Sequence, residues 1–202
     1  MRNWLRAYDT RDDFFWGAYT PYSNLQCIID LSHVDLSLLR GILGSSTFDR
    51  YFKFAVVRNP YDRTYSAFVE SLKFFPEYKQ RGFKAFLNEQ LQSMHFDQRR
   101  VGGNQQVHFT PQSRYIYDDK GNRMLNGLCR IDRLETDLQK VADKLSLDLP
   151  NTLESRAVRA PPTVGRYQYM EHFDRECIDL VNQVYARDFK LLKYPVLKKP
   201  ER

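Results

Sequence analysis

Cysteine pairs, metal-ligand runs and long apolar stretches are all missing from this chain of 202 residues. Its three cysteines, Cys27, Cys129 and Cys177, are odd in number and far apart, which excludes a disulfide framework and a Cys-x-x-Cys metal site. His33, His95, His108 and His172 are equally scattered, with no His-Glu-x-x-His run, so no metal is expected. No apolar stretch approaches the length of a membrane span, and no charged-then-apolar leader opens the chain. Asn-x-Ser/Thr sequons are also absent, which leans away from the secretory pathway and makes a cytoplasmic setting the expectation. Neither an internal repeat nor a low-complexity linker is present.

What is present is ordinary globular usage, 42% apolar and 28% charged, at a length that supports one domain over residues 1–202 with a sizeable core. The 31 basic and 25 acidic residues leave a net charge of +6. Arg99, Arg100, Arg114, Arg123, Arg130, Arg133, Arg156, Arg159 and Arg166 crowd the second half, an accumulation that favours an anionic partner. Nucleic acid is a poor candidate for that partner, because the aromatics fall mostly at core-type spacing and no nucleic-acid motif occurs.

The densest signal runs from Phe52 to Phe68. Phe52 to Val57 is apolar, aromatic and β-branched, as a buried strand requires. Helix should follow at once, with Asn59 as N-cap, Pro60 at the first helical position and Asp62 complementing the positive helix end. Tyr61, Tyr65, Phe68 and Leu72 then share an apolar face, while Asn59, Asp62, Ser66 and Glu70 share a polar one. A helix start after a strand, joined by the donor fork of Arg58, suits a phosphate or sulfate. Ser66 lies roughly 9 Å along the axis from Pro60 at about 1.5 Å per residue, so an anion touching both Arg58 and Ser66 must lie along the helix flank. The plain structural alternative has Arg58 pairing with a nearby carboxylate and Ser66 bonding a carbonyl one turn back.

Elsewhere the patterning predicts helices over Asp35 to Leu43 and Gly82 to Leu91, and short strands over Arg114 to Tyr117 and Gly127 to Ile131. Ser93 to Gln106 reads as a loop and Asn151 to Gly165 as irregular. Asp132 and Glu135 have capping-box spacing ahead of a core stripe of Leu134, Leu138, Val141, Ala142 and Leu145. A last helix is expected from about Phe173 to Phe189. Ile28 to Val34 resembles a strand with His33 at its C-terminal end, where ligands of parallel sheets bind. A His in a loop or cap is the alternative. The alternation of strand, helix and loop predicts an α/β layer fold with a parallel sheet.

The block Arg58-Asn59-Pro60-Tyr61-Asp62-Arg63-Thr64-Tyr65-Ser66-Ala67-Phe68 resembles the 3′-phosphate-binding block of the sulfotransferase superfamily, in the form found in carbohydrate, Golgi-type sulfotransferases and their bacterial relatives. His108-Phe109-Thr110-Pro111-Gln112 is similar to the family's His-x-x-Pro-Gln segment. Cys129 to Leu138 resembles its strand-to-helix segment, and Tyr185-Ala186-Arg187-Asp188-Phe189 resembles its closing Tyr-x-x-Asp-Phe segment. The family also has a Pro-Lys-x-x-x-[ST] loop for the 5′-phosphosulfate, which does not occur before Trp4. Gly41 to Thr47 lacks the Lys and is no substitute, so an N-terminally shortened sequence is expected.

This resemblance implies a three-layer P-loop-like α/β fold with a central parallel sheet, lacking the first strand and phosphate loop. It implies 3′-phosphoadenosine 5′-phosphosulfate as donor, without a metal, and a carbohydrate or glycan acceptor, acidic ones included. Arg58 and Ser66 would hold the donor's 3′-phosphate. His33 would be the general base on the acceptor hydroxyl, a task that suits an imidazole near its ordinary pKa of about 6.5. His108 and Gln112 match positions near the acceptor, and Arg99 and Arg100 are candidates for an acidic one. A non-catalytic remnant that binds adenosine bisphosphate or a partner is the alternative. A Golgi-lumenal or membrane-associated setting would require an anchor upstream of Met1.

Overall fold

The computed structural model describes residues 19–22, 27–30, 34–93, 108–148 and 168–198. Contacts divide the chain into two compact units, residues 1–57 with 115–162 and residues 58–114 with 163–202. Each unit is thus assembled from two separate stretches of sequence.

In the first unit, β1 (Tyr19–Tyr22) and β2 (Cys27–Asp30) form an antiparallel pair, with Tyr19 opposite Asp30 and Tyr22 opposite Cys27. The described part of the strand expected to carry His33 is β2, and among the described residues it pairs antiparallel with β1 rather than within a parallel sheet. Helix α1 (Leu36–Leu43) starts where expected, because the Asp35 carboxylate accepts the Leu38 N–H at 2.8 Å. Gly44, at φ 75°, turns the chain into α2 (Ser45–Arg50), a backbone angle that favours glycine.

The parallel sheet pairs β3 (Phe54–Val57) with β4 (Gly127–Arg130), Phe54 opposite Gly127 and Val57 opposite Arg130. A short 3₁₀ turn, Ile131–Arg133, leads into α6 (Leu134–Leu145). Cys129, Leu134, Leu138 and Val141 form its buried core, with Phe52, Phe54, Val56 and Ile131 packed against it. At Gly127 an added Cβ would stand 3.1 Å from the Phe54 Cβ and 3.2 Å from a Val141 methyl, so the bare glycine permits this close packing.

Two local expectations change here. The capping box of Asp132 and Glu135 does not form; Arg133 is the cap residue and makes no side-chain cap bond. Instead Asp137, 5% exposed, turns its carboxylate back onto the Arg130 N–H at 3.0 Å, with Arg133 and Lys140 beside it. Residues Arg114 to Tyr117 are not a strand, since α5 (Gln112–Ile116) occupies most of that stretch and only an isolated bridge joins Tyr117 to Arg123.

The second unit is helical and aromatic. It holds α3 (Pro60–Ser71), α4 (Tyr78–Ser93) with a break at Gly82, a 3₁₀ turn at Gln168–His172, α7 (Arg175–Val184) and α8 (Ala186–Leu192). The expected last helix is split in two at Tyr185, which departs from helical geometry at φ −104°, ψ 22° and is buried. Tyr61 meets Phe173 edge-on with centroids at 5.8 Å and Phe189 at 5.1 Å, while Phe83 contacts Phe173 at 4.8 Å. Such edge and tilted contacts each add about 0.5–1.5 kcal/mol beyond area burial. Together the strands and helices make a mixed α/β protein with a parallel sheet, as the sequence predicts. Among the described residues no helix is long and apolar enough to cross a membrane.

Candidate functional site

Val57, almost wholly buried at the end of β3, is followed directly by Arg58 and then by the cap of α3. The Asn59 side chain accepts the Tyr61 N–H at 3.0 Å, and the Asn59 carbonyl accepts the Arg63 N–H at 2.8 Å. The cap thus occupies donors that an end-on anion would need.

Asp62 and Ser66 lie four residues apart on one row of α3, and Arg58 precedes the helix four residues before Asp62. Arg58 donates through Nε and Nη2 to the Asp62 carboxylate, the Nη2 bond being 2.8 Å, with side chains 23% and 24% exposed. The carboxylate pairing foreseen as the alternative for Arg58 therefore exists. It engages two of the five N–H donors an arginine carries, and among the described residues the other three have no partner. Ser66 is half-buried, and its hydroxyl has no partner among the described residues. Its neighbours behave differently: Thr64 donates to the Pro60 carbonyl at 2.7 Å and Ser71 to the Phe68 carbonyl at 2.8 Å. So the carbonyl-bonded alternative for Ser66 is not what the helix adopts.

Gln112 is buried against Arg58. It is 8% exposed, and its carboxamide Oε1 accepts the Arg58 N–H while its Nε2 donates to the Arg58 carbonyl, both at 2.8 Å. Each end of the amide is thus engaged with the Arg58 backbone, a task the sequence did not assign to it. His108 opens the same turn and is exposed. The turn is pinned from three sides. The buried Tyr185 hydroxyl donates to the Phe109 carbonyl at 2.7 Å, Arg63 donates to the Thr110 carbonyl at 2.8 Å, and the Asp188 carboxylate accepts the Gln112 and Ser113 N–H groups at 2.8 Å each. Burial pushes the Tyr185 phenol up to about 12. Sequence reasoning had placed Asp188 in a family-like segment without giving it a task; the Tyr-x-x-Asp-Phe spacing was its only signal.

Three assigned residues, His33, Arg99 and Arg100, fall outside the described residues. Among the described residues no group of three or more His, Cys, Asp or Glu could hold a metal ion. A guanidinium fork and a hydroxyl are, by their donor chemistry, groups of the kind a phosphate ester takes.

Residues 32–195 match the model of a family described as "Sulfotransferase family". Carbohydrate sulfotransferase 10 of Danio rerio is 27% identical, across 72% of this chain and 47% of its own length. The chain thus spans about half the length of this curated relative. No solved structure gives a significant match. The likeness to a carbohydrate sulfotransferase overturns the cytoplasmic expectation. That expectation leaned on missing sequons, which do not fix a compartment.

Proposed function

We propose, for a chain that belongs to the sulfotransferase family, that it takes part in moving a sulfuryl group from 3′-phosphoadenosine 5′-phosphosulfate to a hydroxyl of a carbohydrate. The family match runs through both units, which supports a single sulfotransferase-like domain over residues 1–202. A glycan acceptor is the class that the relative's name gives. In this reading the remaining donors of Arg58 and the hydroxyl of Ser66 grip the 3′-phosphate. His33 takes the proton of the acceptor hydroxyl, and His108, Arg99 and Arg100 face the acceptor. In-line transfer of this kind asks little covalent chemistry of the protein and relies on positioning and on stabilising developing charge.

The observation that carries the reading is the start of α3, where the partly exposed Arg58 guanidinium and a Ser66 hydroxyl without a partner among the described residues lie eight residues apart in sequence. Calorimetric titration with adenosine 3′,5′-bisphosphate and adenosine 5′-phosphate tests it. The bisphosphate should bind more tightly, and Arg58→Ala should remove that preference, a loss of roughly 1.5–3 kcal/mol for a charged hydrogen bond. Equal affinity of the unaltered chain for the two nucleotides would dismiss the phosphate assignment. Sulfate transfer to a glycan panel by the nucleotide-binding protein then separates an enzyme from a remnant that only binds.

A further inference from the structure

Arg58 stands between two regular elements and belongs to neither. The β3–β4 pairing ends at Val57 and α3 begins at Pro60, so neither the sheet ladder nor the helix supplies partners for the Arg58 backbone. Gln112 supplies both, its carboxamide acting toward Arg58 as a neighbouring strand would. The glutamine has little freedom of its own. Its side chain is buried, and its backbone N–H, with that of Ser113, is held by Asp188, a carboxylate with no exposed surface.

We infer that Gln112, seated by Asp188, is a positioning residue for Arg58, fixing the backbone from which the guanidinium reaches a 3′-phosphate. This rests on the phosphate reading of Arg58 proposed above. The lever arm explains why backbone control matters. A guanidinium lies about 6 Å from its own Cα, so a backbone rotation of about 10° carries it roughly 1 Å, enough to spoil a charged hydrogen bond. Asp62 restrains the tip of the side chain and Gln112 restrains its root. With both ends tied, the three remaining N–H groups are held in one place before any ligand arrives, which lowers the ordering cost of binding.

The test compares binding of adenosine 3′,5′-bisphosphate with adenosine 5′-phosphate in Gln112→Met and Asp188→Asn. Methionine keeps the length and burial of the side chain and removes both bonds to Arg58. We expect Gln112→Met to lower bisphosphate affinity about tenfold while 5′-phosphate affinity stays level, so that the preference shrinks. Asp188→Asn keeps one acceptor for the two N–H groups and should shift the preference the same way by a smaller factor. The double variant Arg58→Ala/Gln112→Met should lose no more preference than Arg58→Ala alone. Loss of affinity for both nucleotides by one common factor, or a full preference in both folded variants, overturns the positioning role. An unaltered chain that does not distinguish the nucleotides removes the phosphate reading itself, and the inference falls with it.

Discussion

Asp62 faces Arg58 with both carboxylate oxygens, Oδ1 accepting from Nη2 at 2.8 Å and Oδ2 from Nε. It therefore does two opposed things, steadying the fork and placing negative charge beside an incoming phosphate. Two unit charges about 6 Å apart repel by about 0.7 kcal/mol in a water-like dielectric, and a dianion doubles that. One hydrogen bond contributes a similar net amount, about 0.5–1.5 kcal/mol. Asp62→Asn, which keeps one acceptor and removes the charge, should thus leave adenosine 3′,5′-bisphosphate affinity within about threefold. A tenfold loss by calorimetry would show that orientation outweighs charge.

Ser66 invites a cleaner separation of binding from folding. Among the described residues its hydroxyl has no partner, so Ser66→Ala removes no bond between them, and alanine is the better helix former by a few tenths of a kcal/mol. Thermal unfolding should be unchanged or slightly raised, while bisphosphate affinity falls by about threefold to tenfold. A lowered melting temperature with unchanged affinity would place the hydroxyl in the scaffold instead.

The parts of this site that could be read in advance are those written locally. Asn59-Pro60 after an apolar run announces the β3-to-α3 junction, and the eight-residue step from Arg58 to Ser66 is visible in one line of sequence. The Asp188 bond to Gln112 joins residues 76 apart and leaves no periodicity behind. The same bond explains why α5 is a helix where residue types predict a strand. Tyr115, Ile116 and Tyr117 favour strand by type, but the first turn is capped by a carboxylate from a distant helix, and tertiary context overrides the propensity. Asp62 was legible as a helix-start acid, though its pairing with Arg58 needed the side-chain geometry.

Acid stability should depend on Asp174. This half-exposed residue caps α7, accepting the Cys177 N–H at 2.8 Å and lying 3.0 Å from Lys84, and these partners hold its carboxyl down to about 2. Its unfolded value is near 3.9. A pKa depressed by folding gives a contribution that is complete above about pH 4 and fades as pH falls toward 2. Asp174→Ser retains a capping oxygen without a titrating charge. The melting-temperature advantage of the unaltered chain over this variant should therefore shrink between pH 4 and 2. A constant gap would mean that the carboxylate's charge adds nothing to the cap.

Alkaline stability should depend on Tyr185, in the opposite sense. Its phenol is buried, donates to the Phe109 carbonyl at 2.7 Å, and is pushed up to about 12 by burial, against about 10 in an unfolded chain. Here the neutral form is favoured by folding, so the contribution is complete below about pH 10 and is lost as pH rises toward 12. Tyr185→Phe leaves the Phe109 carbonyl without this donor and should cost about 1–2 kcal/mol at pH 8. Urea unfolding at pH 8 and pH 11 measures both effects. Other tyrosines titrate alike in the two proteins and cancel, so the gap between them should narrow by about 1 kcal/mol at the higher pH. A gap that does not narrow would mean that the phenol ionises as readily in the folded chain as in the unfolded one, and that water reaches the turn beneath Gln112.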